Sequence, residues 1–522
     1  MGSVLQANII TEWRKHFIIE EFILELDTTI MTPTPVFETS GHVTRFADWM
    51  VKDVQTGNAI RADHLVKNVP EARLAGDKEA RGQADAPAAE DEKDKKKKKA
   101  AKAAAVPLPV YNYSGAALAE LCQKFSTRNP DTNNEVTEHK EFNLMFASSI
   151  GPTGQHPGHF LNFSHLLDYN NGHVPLTSAQ IGRSFQNEIS PRPGLLCVRD
   201  FTMVEIEHFV DPNDKSHPRD VQSSGSTTPI KMSIGEAVEK SIIANETLAY
   251  FMAWIYLFLL KIGIDPDRLR FRQHMLNEMA HYAMDCWDAE IHNSTGWTEC
   301  VGCADWAAHD LTVHSAKTGH PLVVREALAK PIVMEKEVPE SNKKTLGKTF
   351  KQDAGILQKH VESLDEPVLL KSKQELANGC DKAFEITPDL LRIELKTFEQ
   401  SIREYTPNVI EPSFSLGQIL YTLLEHSYWS RAQDVECRVL SLPPVVAPTK
   451  VHIVPLSAKE EFDPLVQEVS SKLQKAGIFS RIDDSNTSIG KQYARNDELG
   501  TPYGVTIDSA CVTAVKNRTM SL

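Results

Sequence analysis

The chain lacks any apolar run long enough to cross a bilayer. Its longest, Leu248–Leu260, has 13 residues, against the roughly 20 that a membrane helix needs; it reads as a buried core helix. No basic, apolar and small-residue succession opens the chain, so no signal peptide is expected. Cysteine is scarce, eight in 522 residues, which excludes a disulfide framework. Cys300 and Cys303 have CxxC spacing, but no second cysteine or histidine pair completes a zinc site. They read as reduced structural thiols, and no metal site is expected. Positive charge is also in deficit: a net charge of −14 excludes an all-over basic coat for nucleic acid and leaves only local patches for RNA contact. No internal repeat is present. With 41% hydrophobic and 24% charged residues, the composition is that of an intracellular globular protein with two or three domains and a large core.

Ile10, Trp13 and Phe17 recur at helical spacing, so an amphipathic helix opens the chain. An extended stretch, Ile23–Thr32, follows and is broken by Pro33 and Pro35. Residues 70–106 turn low-complexity and run into Lys93, Lys95–Lys99 and Lys102, as a solvated insertion would. From Asn143 to Pro212 the pattern is strand-rich. Ser233 and Glu236 form a capping-box signature before a helical segment reaching Leu260. Residues 315–400, rich in lysine and glutamate, read as a second insertion. After the proline-rich link Leu442–Pro448, strands at Val451–Pro455, Ile478–Ile482 and Tyr503–Ile507 alternate with helices near Glu460–Lys475 and Ile489–Asn496. That alternation predicts a small α/β domain with a largely parallel sheet.

Several long blocks carry a resemblance. Phe185-Gln-Asn-Glu-Ile-Ser-Pro-Arg192, continuing through Val198-Arg-Asp-Phe201 to Glu205-Ile-Glu-His-Phe209, closely resembles motif 2 of the glycyl-tRNA synthetases. Glu411-Pro-Ser-Phe-Ser-Leu-Gly-Gln418 resembles their motif 3. Gly296–Asp305 with Asp310 and His314, Arg272–His281, Thr39–Met50 and Ser488–Asp508 add further similar blocks, in order along nearly the whole chain. The resemblance implies an α+β class II aminoacyl-tRNA synthetase catalytic domain, an antiparallel sheet with helices, over 1–440, with insertions at about 66–140 and 315–400. A C-terminal α/β anticodon-binding domain, cut short near Asn517–Leu522, would occupy 445–522. It also implies ATP with Mg²⁺, glycine and tRNA(Gly) as ligands, a homodimer whose interface lies near the first helix and the motif 1 proline Pro33, with Trp13 and Phe17 also present, and a cytoplasmic location away from membranes.

Within those motifs the resemblance places Glu188, Phe201 and Glu299 at ATP, with Phe201 stacking on adenine. It places Glu205, Glu411 and Ser413 at glycine, and Arg199 as a retained arginine. Glycyl-adenylate formation is mainly positioning and charge stabilisation, so arginines aimed at phosphate matter most. Here the departures fall. Gln186 stands where the family has the α-phosphate arginine, and Gln418 where an arginine meets the far end of the triphosphate. Cys197 and Trp306 replace two further family arginines. A carboxylate-bearing segment expected between Gly158 and Phe160, and a glycine-rich entry before Val4, are missing. A glutamine is neutral and cannot make a charged fork, and losing one such donor costs about 3 kcal/mol of transition-state stabilisation. The expectation is therefore a glycyl-tRNA synthetase homologue with severely reduced or lost adenylation. The alternatives are an active glycine–tRNA ligase, an accessory paralogue that binds tRNA or a synthetase subunit, and a poorly folded relic.

Overall fold

The computed structural model describes residues 1–28, 32–62, 65, 119–120, 122–123, 127–145, 159–191, 194–215, 233–274, 279, 283–341, 348, 391–432, 434–457, 459–485, 487–511 and 513. The lysine run at 93–102, Gly158, Arg192 and Asn517–Leu522 lie outside the described residues. The chain divides into two compact units, Met1–Leu322 with Thr406–Leu522, and Val323–Tyr405. The second is a long antiparallel ribbon, Val324–Ser341 against Leu391–Tyr405.

The first unit is built on a seven-stranded sheet. Its strands are β1 (Leu24–Glu25), β2 (Leu176–Phe185), β3 (Asp200–Val210), β4 (Leu269–Gln273), β5 (Asp285–Asn293), β6 (Gly296–Asp305) and β7 (Asn408–Ser415). In space they run β1-β2-β3-β7-β6-β5-β4; β1 lies parallel to β2 and every other pairing is antiparallel.

Helices α1 (Gly2–Trp13), α2 (Glu246–Ile262) and α4 (Leu416–Ser427) contribute to the core beside this sheet; α3 (His309–Thr318) follows β6. Helix α2 is the apolar run of the sequence. Asn245 caps it by accepting from the Leu248 N–H at 2.9 Å, and Gly263, at φ 106°, closes it. An alanine there would also place its Cβ 2.5 Å from Pro443 Cγ. The predicted capping box forms at Ser233 and Glu236. It opens only the short helix Ile234–Glu239, which ends before α2 because Ser241 turns the backbone to φ 54°.

Helix α1 runs on into a π-type turn, Arg14–Ile19. Trp13 and Phe17 are fully buried and meet Phe414 at ring distances of 5.9 and 5.2 Å. Full burial of one such side chain stabilises by roughly 1.5–3 kcal/mol. Trp13 and Phe17 thus pack inside their own chain. Of the extended stretch expected from Ile23 to Thr32, the described residues hold the two-residue strand β1; residues 29–31 lie outside them.

At the C-terminus β8 (Val451–Pro455) lies between β9 (Ser480–Ile482) and β10 (Tyr503–Ile507), all parallel. Helices α5 (Asp463–Lys475) and α6 (Ile489–Glu498) are the crossovers. Val451, Ile453, Phe462, Val466 and Ile507 form its core.

Candidate functional site

Side chains alternate across a strand, so β3 sends Phe201, Glu205 and Glu207 to one face and Val204 and Ile206 to the other. The register carries that division across the sheet. Glu205 stands opposite Gln180 of β2 and Ser413 of β7. Ser413 stands opposite Gly302, and Glu411 opposite Ala304. Gly302 and Ala304 in turn face Asp288 and Cys286. One face is therefore polar and runs from Gln180 to Asp288. The other, with Ala179, Val204, Ile206, Phe414, Val301 and Ala289, joins the core with α2.

Glu299 reaches the polar face by a backbone irregularity. Between Ala289 and Glu290 the β5–β6 register shifts by one residue, so Glu290 pairs with Glu299. A continuous register would have paired Glu290 with Cys300. Cys300 and Cys303 are instead both buried in the core. They are free thiols, as expected from their lone CxxC.

The polar face holds two acidic neighbourhoods. In the first, burial raises the proton affinity of Glu205, Glu207, Glu411 and Asp310 (on α3), and neighbouring carboxylates add to it for Glu207 and Glu411. Burial, then the Glu205 carboxylate, pushes Glu411 up to about 8. Burial pushes Asp310 up to about 6 and also raises Glu205. Burial raises Glu207 well above the usual carboxylate range, with Glu411, Glu205 and Asp310 adding to it; it is 4% exposed and its Oε2 has no hydrogen-bond partner. Among the described residues no cation pairs with these four. Glu411 does have a neutral partner: the Trp306 indole N–H donates to its Oε2 at 2.6 Å. Such a pocket is complementary to a small ammonium group.

The second neighbourhood is balanced. Arg270 pairs with Glu290 at 2.6 Å, and Arg272 with Asp288 at 2.8 Å and Glu290 at 3.0 Å. Glu299 lies beside them, accessible to water yet closely surrounded by protein. Loss of solvation, then the Asp288 carboxylate, pushes it up to about 7.

The motif 2 turn is held by main-chain contacts. The Arg199 guanidinium donates to the Glu188 carbonyl at 3.1 and 3.3 Å, and the Gln186 N–H donates to the Arg199 carbonyl at 3.1 Å. Arg199 thus staples the turn that carries Gln186 and Glu188. Gln418, in the first turn of α4, donates its amide to the Leu196 carbonyl at 3.3 Å. Register and turn bring Glu205, Glu411 and Ser413 together, and likewise Gln186, Glu188 and Arg199. Glu299 sits in the other neighbourhood. Sequence reasoning passed over Glu207 and Asp310 as site residues; Glu207 was legible as the i+2 neighbour of Glu205 on a strand.

Among the described residues no helix is long and apolar enough to cross a membrane. Residues 450–520 match the family described as "Anticodon binding domain". The chain is 50% identical to "Glycine–tRNA ligase 1, mitochondrial" of Saccharomyces cerevisiae over 97% of this chain and 81% of that protein. It is 44% identical to "Glycine–tRNA ligase 2" of the same yeast over 100% and 86%. It is also 44% identical to the "Glycine–tRNA ligase" of Drosophila melanogaster over 97% and 68%.

Proposed function

The chain belongs to the glycine–tRNA ligase family, with its class II sheet and C-terminal anticodon-binding domain, and from that premise we propose that it keeps the ammonium and adenine sides of the family site but adenylates glycine poorly. The observation that carries this reading is the pair of neutral amides at positions 186 and 418, with Gln418 turned to the Leu196 carbonyl. An arginine at either position would offer a phosphate a charged, bidentate donor; a neutral amide offers no charge, and Gln418 already spends one of its two N–H donors on main chain.

Residues on the adenine side fit a nucleotide: Phe201 presents a ring on the polar face, and the Glu188 turn is pre-set by Arg199. On the phosphate side they do not fit a triphosphate, and no reaction step is assigned there. Mg²⁺ would enter with ATP, and Glu299 is proposed on the ATP side. On the glycine side Glu205, Glu411 and Ser413 would take the amino group, with Glu207 beneath them. tRNA(Gly) as the nucleic-acid ligand, a homodimer near Pro33 and a cytoplasmic location complete the proposal. The test is glycine-dependent ATP–pyrophosphate exchange beside the double substitution Gln186→Arg, Gln418→Arg. Very low exchange, raised by the two arginines, supports the reading; exchange at a working synthetase's rate in the unaltered protein overturns it.

An active ligase is the second reading, favoured by the Glu205–Ser413–Gly302 register, which keeps the ammonium pocket assembled. Aminoacylation of tRNA(Gly) by the unaltered chain would decide for it.

A further inference from the structure

His274 and Cys286 on the polar face, beside Asp288 of the second neighbourhood, are used by neither reading. His274 follows β4 directly, and its N–H donates to the Cys286 carbonyl at 2.8 Å, which sets the imidazole beside β5. Cys286 and Asp288 are two apart on β5 and so share a face. One ligand atom from each of His274, Cys286 and Asp288 lies within 4.8 Å of the other two. The cysteine and the aspartate are buried and the histidine half-buried.

From this convergence of sulfur, imidazole nitrogen and carboxylate oxygen on two paired strands, we infer a binding site for a zinc-class transition-metal ion at His274, Cys286 and Asp288. Zinc bound by sulfur at about 2.3 Å and by nitrogen or oxygen at about 2.0–2.2 Å needs its ligand atoms roughly 3.5 Å apart, so a small side-chain contraction closes the site. The donor set selects the class: thiolate and imidazole favour zinc or cobalt and disfavour magnesium. Three protein ligands leave a fourth position for water, on the half-buried histidine side.

The existing contacts allow the exchange. His274 Nε2 now bonds Asp288 Oδ2 at 2.7 Å; on binding, both atoms turn from each other to the ion, the proton between them leaves so that the neutral imidazole keeps its proton on Nδ1 and presents the Nε2 lone pair, and the Cys286 thiol releases its proton to solvent. Arg272 also holds that Asp288 oxygen at 2.8 Å, but its Nε is bonded to Glu290 at 3.0 Å. It keeps that partner when the metal takes a share of Asp288. The lone CxxC pair contributes nothing, because Cys300 and Cys303 lie in the core.

The probe is cobalt(II), titrated without ATP into full-length protein previously freed of metal by a chelator, so the outcome is independent of adenylation. We expect one equivalent per chain, a thiolate-to-cobalt charge-transfer band in the near ultraviolet, displacement by an equivalent of zinc, and no competition from magnesium at the same concentration. Cys286→Ser should abolish the band and His274→Gln should weaken binding at least about tenfold, while Cys511→Ser, on the α/β domain, leaves both unchanged. Circular dichroism reports whether each variant folds, and His274→Gln decides the matter if Cys286→Ser does not. No charge-transfer band, or a band and an affinity that survive His274→Gln, would overturn the assignment.

Discussion

Trp306 donates its indole N–H to Glu411 Oε2 at 2.6 Å, joining the end of β6 to the middle of β7 inside the acidic pocket. The sequence comparison marked Trp306 only as a lost arginine; in the fold it is the neutral partner of a carboxyl that has no cationic one among the described residues. Replacing it by phenylalanine keeps the ring and removes the donor. Trp306→Phe should destabilise the protein by about 1–2 kcal/mol, and by more once the Glu411 carboxyl is ionised. Urea midpoints measured at pH values on either side of about 8 check this. Identical midpoints for variant and parent at both would show that the bond contributes nothing.

Glu411 itself should shape the pH dependence of stability. Its folded value lies above its ordinary one, so between about 4.5 and about 8 the folded protein holds a proton that the unfolded chain has released. Its contribution to stability is therefore full below the lower value, declines as pH rises through that window, and levels off above it. Glu411→Gln removes the titration. The variant should gain stability relative to the parent across the window, on the order of a few kcal/mol by its upper end, with Glu205 and Glu207 sharing the effect. Parallel stability–pH curves for the two proteins would contradict the burial argument.

Asp305 is fully buried and accepts from Lys215 Nζ at 2.6 Å, Asn245 Nδ2 at 2.8 Å and the Ala307 N–H at 3.0 Å. It ties the end of β6 to the cap of α2. Asp305→Ala strands the Lys215 ammonium, which is 11% exposed; removing one partner of such a pair costs about 3–5 kcal/mol. A chemical-denaturation loss below about 1 kcal/mol would mean that water replaces the carboxylate easily.

Gly263 holds a backbone conformation that side chains resist, with Pro443 against it. Gly263→Ala should cost more than about 1 kcal/mol and lower the melting temperature, whereas Gly57→Ala, where a Cβ meets nothing within 4 Å, pays only the conformational part. Equal losses at the two positions would show that the Pro443 contact is relieved at no expense.

Different parts of this molecule were legible to different degrees. Val451–Pro455 and Tyr503–Ile507 could be read as strands, and the helices between them by period, because each signal lies within ten or so residues. The capping box at Ser233 could be read for the same reason, but the break at Ser241 could not: a serine in a left-handed turn has no local signature, and the apolar pattern runs straight past it. Glu205, Glu411 and Ser413 were found through their motifs, and register then explained why they meet. Asp310 comes from a helix beyond the sheet, and its approach to Glu207 is a long-range fact. The one-residue slip that turns Glu299 rather than Cys300 to the polar face leaves no trace in composition or periodicity. Trp13 and Phe17 were legible as the apolar stripe of a helix, but that they pack on Phe414 is again a long-range fact.

The division of the sheet into a charged side and a greasy side has a consequence for how such a chain can change over generations. Gln186 and Trp306 bond to groups at the polar face, Arg199 and Glu411, whereas Phe17, Phe258 and Phe414 pack on one another in the core. Selection for a soluble, protease-resistant product and selection for chemistry therefore act on opposite surfaces of the same seven strands. A gene relieved of the second can drift through its reactive positions while the first keeps the architecture whole, and the same independence leaves the emptied side open to recruitment for another ligand.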